Sequence, residues 1–410
     1  MRHSEPRSPS VWSPVDPTPE ERRIDEKAAA TAAGEVSDFV LDLLLREHRS
    51  ENRRRGLEEG RRLARELLSR RGRIGPGPQH WGLVIALCEA SETAAPKNPT
   101  RALELAELAV AAARQVALDV PGSESFRSRL EGWALGFVAN AKRVIGSDLP
   151  GAGRTWIDVW RLWRAGEDSA RLLSEAYLLD MEASLRRAQR ELPVALKLHE
   201  RALELAQPEE TGIILLNQAV TREESDDPKG ALQSLERAAL VIDGERRPRL
   251  RWSLRFNQAS SLCVLGRAQE AVPLVEEARL LAERLRNEID LIRTVWLDAK
   301  CLVGLGKREE ALIRLGQVRR SFEAHPFDYA LASLDMATLY REEGRFSEIK
   351  ALSGSILKIF KAQNVHREAL AAVILFHEAA EKERVSVELV RRLQNFLAKA
   401  RTNPGLRFEA

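Results

Sequence analysis

The sequence predicts an all-α protein built as a solenoid of helical hairpins, and three observations carry that reading. Ala, Leu, Glu and Arg dominate, only 3 Tyr and 11 Phe occur in 410 residues, and Val/Ile-rich alternating runs are missing. That composition favours helices, and no sheet is expected. Pairs of alanines twelve residues apart recur along the chain, and capping residues, prolines and glycines fall between them at matching places.

In chain order, residues 1–24 set Pro6, Pro9, Pro14, Pro17 and Pro19 among Ser, Arg and Glu. Such a stretch has too little apolar surface to offset the entropy of ordering, so a disordered tail is expected. Residues 25–78 are read as an arginine-rich helical pair. Val36, Phe39, Val40, Leu43 and Leu44 follow helical spacing, and Leu57, Ala64, Leu67 and Leu68 form a second stripe before the loop 72–78. Residues 46–73 hold eleven arginines against five glutamates. Glu58, Glu59 and Glu66 stand at pairing distance along the helix and no aromatics interleave, which favours a solvated face over an acidic protein partner, and either over nucleic acid. A helix-turn-helix domain would need a third helix.

Residues 79–410 repeat. The alanine pairs are Ala90/Ala102, Ala183/Ala195, Ala219/Ala231, Ala259/Ala271 and Ala299/Ala311, and from Ala183 onward they start 36, 40 and 40 residues apart. A period of this size marks units that bury their apolar faces only against their neighbours. Asn98-Pro99 and Asp227-Pro228 supply a cap and a proline three residues before the second alanine, where free backbone N–H groups need an acceptor and proline has none to lose. Gly146, Gly266, Gly306 and Gly344 end the preceding helices. Both alanine positions must stay small because they mark the closest approach of two helices, and a larger side chain there would overpack by about 1–3 kcal/mol. A final pair near 366–382 and 386–400 is expected to cap the array.

These residues resemble the tetratricopeptide repeat family. Ala259, Gly266, Ala271 and Ala278 match its run of small residues, Ala337, Tyr340 and Gly344 match the first half of a later unit, and Ala139-Asn140 to Gly146 looks like the end of another first helix. The period exceeds the family's, and its helix-end proline is visible only as Pro208. The resemblance implies a right-handed α-solenoid whose first (A) helices line a concave face, and a non-enzymatic scaffold binding protein or peptide there. A ligand-gated regulator, in which the basic N-terminal helices act on an effector or transcription partner, is the second reading.

The net charge of +3 gives no chain-wide attraction to nucleic acid or membrane. Residues 146–155 carry glycines but lack the lysine that a phosphate loop needs after its second glycine, and read as an inter-helix turn. The histidines show no metal-binding spacing, so neither metal nor cofactor is expected. No nucleophile elbow occurs. Cys88, Cys263 and Cys301 are odd in number, far apart in sequence and set in apolar stretches, so they are read as buried small residues rather than a disulfide framework. Trp156, Trp160 and Trp163 form a stripe on one helix, read as core. No apolar run reaches membrane-spanning length and no signal peptide is evident, so a cytoplasmic protein is expected. Arg far outnumbers Lys, which points to a GC-rich, bacterial genome.

Applying the family's A-helix register to Ala219, Ala259 and Ala299 selects Asn217, Phe256, Asn257, Ser260, Arg293, Trp296 and Lys300 as partner-binding residues. The triplet Asn-Gln-Ala occurs at 217–219 and again at 257–259. Two amides in register could each donate to and accept from an extended backbone. Arg293 and Lys300 would meet a carboxylate, and Trp296 would give an apolar platform.

Overall fold

The computed structural model describes residues 51–69, 74–75, 77–116, 123–146, 148–168, 171–401 and 405–408. The expected tail and the first helix of the arginine-rich pair lie outside them. The chain divides into two compact units, 1–59 and 60–410. Residues 51–69 are helical (α1). Arg55 pairs with Glu51 at 2.7 Å, Arg54 with Glu58 at 3.4 Å and Arg62 with Glu66 at 3.6 Å, all one turn apart and exposed, so this stretch of arginines is a solvated face of weak local pairs.

The second unit is helical hairpins in succession: α2 (Trp81–Ala94) with α3 (Pro99–Ala113), α4 (Ser123–Ile145) with α5 (Leu149–Ala165), α6 (Glu175–Ala188) with α7 (Leu192–Leu205), α8 (Pro208–Glu224) with α9 (Pro228–Val241), α10 (Pro248–Val264) with α11 (Ala268–Arg284), α12 (Glu288–Gly304) with α13 (Arg308–Ser321), and α14 (Pro326–Glu342) with α15 (Phe346–Ala362). Each second helix packs on its own first helix and on the next one, and successive first helices from α2 to α12 touch. At the end, α16 (Arg367–Glu381) is followed by α17 (Val387–Ala400), which folds back onto α14. Gln394 on α17 donates to Asp335 at 2.7 Å and Arg401 to Asp328 at 3.0 Å. Thus α17 closes the row of first helices, as a solenoid end requires.

Local chemistry sets these boundaries. The side chains of Asn98, Asp148 and Asp227 each accept from a first-turn backbone N–H, at 3.0, 2.8 and 2.9 Å, so the glycine-bearing stretch after Gly146 is a capped helix start. Gly266 has a φ of +73° and Gly306 one of +75°, a conformation in which a Cβ is strained. Every paired alanine except Ala90 is buried, with Ala195, Ala231, Ala259, Ala271, Ala299 and Ala311 at 0% exposure. The core is a row of clusters. Large ones occupy the two ends, around Trp156 and around Phe360 and Phe376, and small ones run through the middle repeats. Trp156 and Trp163 are buried, as their stripe implied. No strand occurs among the described residues, only a single bridge between Gln79 and Val116, and no helix there is long and apolar enough to cross a membrane.

Candidate binding site between consecutive first helices

The middle repeats bury polar groups in two different ways. On α8, Asn217 donates to the Asp180 carboxylate of α6 at 2.7 Å. The other oxygen of Asp180 lies 3.0 Å from Nδ1 of His199 on α7, and Nε2 of His199 lies 3.0 Å from the Thr221 hydroxyl. The Thr221 hydroxyl in turn donates to the Asn217 carbonyl at 3.0 Å. Asp180, His199 and Thr221 resemble an orienter, base and nucleophile in sequence of contacts, but His199 and Thr221 are 0% exposed. Buried polar groups are kept where they meet polar partners, and here Asp180, His199, Asn217 and Thr221 face one another away from solvent. Asn217 is therefore part of the internal packing and does not join the other selected residues.

One repeat further on, the arrangement opens. Phe256, Asn257 and Ser260 from α10 and Arg293, Trp296 and Lys300 from α12 line one cavity of about 500 Å³, with Arg249, Trp252, Ser253 and Leu297. Six of the seven residues selected from the sequence thus converge. Both helices turn the same repeat positions to this space, Phe256 and Trp296 being forty residues apart and Ser260 and Lys300 likewise. The aromatics are fixed from behind. Trp252 donates to Thr294 at 3.2 Å, Trp296 donates to Asp335 at 2.6 Å, and Trp252 stacks on Phe256 with ring centroids 5.0 Å apart.

The charges divide into fixed and free. Arg249 is anchored: it pairs with the buried Asp290 at 2.7 Å and its guanidinium sits 4.2 Å above Trp252. Burial raises the pKa of Asp290, and Arg249 together with Arg293 opposes that shift. Arg293 and Lys300 are exposed and form no ion pair or hydrogen bond among the described residues, although the Lys300 ammonium lies 5.5 Å from the Trp296 ring centre. The side chains of Asn257 and Ser260 likewise have no hydrogen-bond partner there. Two cations, an amide and a hydroxyl therefore face the same space beside aromatic walls. Arg249, Trp252 and Ser253 were missed by the sequence reading, although their spacing of seven, four and three residues from Phe256 would have placed them on its face. No group of three or more potential metal ligands exists among the described residues.

No known family profile matches the chain, and no curated protein sequence matches it. Among solved structures, it is similar to a Rap protein determined in complex with competence and sporulation factor, with a TM-score of 0.56 over 78% of this chain and 88% of that one, at 13% identity. The fold is a tetratricopeptide-like helical repeat. At that identity the likeness speaks for architecture and leaves the cavity's chemistry to be argued from its own residues.

Proposed function

We propose that the chain is a non-enzymatic scaffold that binds an extended peptide or protein segment on the faces of α10 and α12. The observation that carries this reading is the set of unpartnered polar groups lining an open cavity: Asn257, Ser260, Arg293 and Lys300. Polar groups without a protein partner, such as these, are available to a ligand. An amide and two cations that converge on one cavity beside aromatics held by Thr294 and Asp335 support a partner there. The amide can hydrogen-bond a peptide unit in both directions, Arg293 and Lys300 suit a carboxylate, and Phe256 and Trp296 offer apolar anchors. The Rap structure bound to competence and sporulation factor supports the reading by analogy of fold.

The test uses a displayed library of short peptides with free C-termini, followed by calorimetry on enriched sequences and on their C-terminally amidated copies. Amidation, Arg293→Ala and Lys300→Ala should each weaken binding by about 1–3 kcal/mol, the cost of a lost charged hydrogen bond, with the melting temperature nearly unchanged. Enriched peptides whose affinity ignores all three changes would place binding elsewhere, and absence of any enrichment would remove the peptide-scaffold reading.

A further inference from the structure

Cys263 and Cys301 were expected to be separate buried residues. They are 38 residues apart in sequence, yet their sulfurs lie 2.6 Å from each other across α10 and α12. Cys263 stands one turn beyond Ser260 and Cys301 directly follows Lys300, so the pair sits beside the cavity's polar end. We propose that these two thiols are a redox modification site that closes to an intramolecular disulfide under hydrogen peroxide, tying together the two helices that wall the cavity. The inference does not depend on the identity of the cavity's ligand.

The geometry is close to that of the product. A disulfide needs sulfurs about 2.05 Å apart, and the two sulfurs, on neighbouring helices, already face each other at 2.6 Å. The two thiols also differ in the way a reacting pair must. Cys263 is half-buried and reachable, whereas Cys301 is 1% exposed. The hydrogen bond from Cys301 pulls the pKa of Cys263 below the usual thiol value, burial opposes this, and the Lys300 ammonium adds to the lowering. Cys301 is held well above that value, first by the same hydrogen bond and then by burial. Thiolate character and access decide which cysteine oxidises first, so Cys263 is the attacking sulfur and Cys301 the resolving one. Cys88 is buried, with its thiol pushed up chiefly by burial, and serves as an internal control.

The step balances. The Cys263 thiolate attacks one peroxide oxygen, forming Cys263–SOH and releasing hydroxide, which takes up the proton lost by the thiol. Cys301 then attacks the sulfenic sulfur, its proton leaves with the hydroxyl as water, and the S–S bond forms. Each sulfur loses one electron and the two peroxide oxygens gain one each, so two thiols and one peroxide give one disulfide and two waters.

The experiment treats the full chain with stoichiometric hydrogen peroxide, denatures it, caps remaining thiols with N-ethylmaleimide and measures intact mass. One cap instead of three, a mass loss of two hydrogens, and a tryptic species joining residues 256–267 to residues 301–307 are expected, all reversed by dithiothreitol. In Cys301→Ser, Cys263 should stop at the sulfenic acid and take up a dimedone probe at least tenfold faster than Cys88. Three caps after treatment, a bridge that includes Cys88, or disulfide-linked dimers in place of the internal bridge would overturn the proposal. Should the serine variant fail to fold, iodoacetamide rates on the unaltered chain decide the order of reactivity: Cys88 alkylating as fast as Cys263 would overturn it as well.

Discussion

Asn217 and Asn257 open the same Asn-Gln-Ala triplet on consecutive first helices, forty residues apart, and meet opposite fates. The preceding helix α6 gives Asn217 an acceptor, Asp180, and His199 and Thr221 close the network around it. Asn257 looks instead across to α12, where the position forty residues on is Leu297, and its amide is left facing a cavity between Arg293, Trp296 and Lys300. In a repeat array the same residue in the same register is structural or free according to what one neighbouring helix offers. The repeats around α8 hold their polar groups for stability, and the pair α10 and α12 holds them open.

That contrast can be broken most severely at His199. Replacing it by Ala removes the ring that lies between the Asp180 carboxylate and the Thr221 hydroxyl and leaves a void. The loss should be about 2–5 kcal/mol, as for other large-to-small changes at fully buried positions, read as a lower urea midpoint, with ligand binding at the α10–α12 cavity affected only through the folded fraction. A variant of unchanged stability would mean that the network around Asn217 is not what holds it.

A smaller effect is expected at Glu223, which accepts from Ser261 at 2.6 Å and whose pKa is raised by burial, with Ser261 and Lys300 opposing. The folded state therefore favours the protonated acid. Stability attributable to this group is present at low pH and is lost as pH rises from the ordinary carboxylate value through the raised folded one. Glu223→Gln should flatten that slope and leave the protein slightly more stable at neutral pH, by no more than about 1 kcal/mol. Denaturation midpoints across the acidic to neutral range check it, and a variant less stable at neutral pH would show that the ionised carboxylate is favoured by its neighbours.

Much of the fold was legible because its constraints are local. Alanine pairs twelve apart record a steric requirement, and Asn98, Asp227, Gly266 and Gly306 record backbone ones, so each leaves a residue-type signature. Other turns left none. Arg190, Asn364 and Glu383 adopt the same left-handed conformation without glycine, with φ between 50° and 67°, so no residue type marked these turns. The prolines were half-read: besides Pro208, Pro248 and Pro326 also open first helices, where proline's missing N–H costs nothing. The cavity was legible in its register and not in its partners. Whether Asn217 finds an acceptor depends on Asp180, 37 residues earlier on another helix, and the approach of Cys263 to Cys301 depends on how two repeats stack. Neither relation is written in a local pattern.

The two asparagines provide the most direct measurement. Asn217→Ala and Asn257→Ala are compared for unfolding free energy and for affinity toward one peptide enriched on the full chain. Asn217→Ala should lose about 1–3 kcal/mol of stability, because it leaves a buried carboxylate oxygen unsatisfied, and bind the peptide normally once folded. Asn257→Ala should keep its stability and lose affinity by a similar amount. Equal losses of affinity in both variants, or a loss of stability confined to Asn257→Ala, would contradict the division between a closed network and an open site.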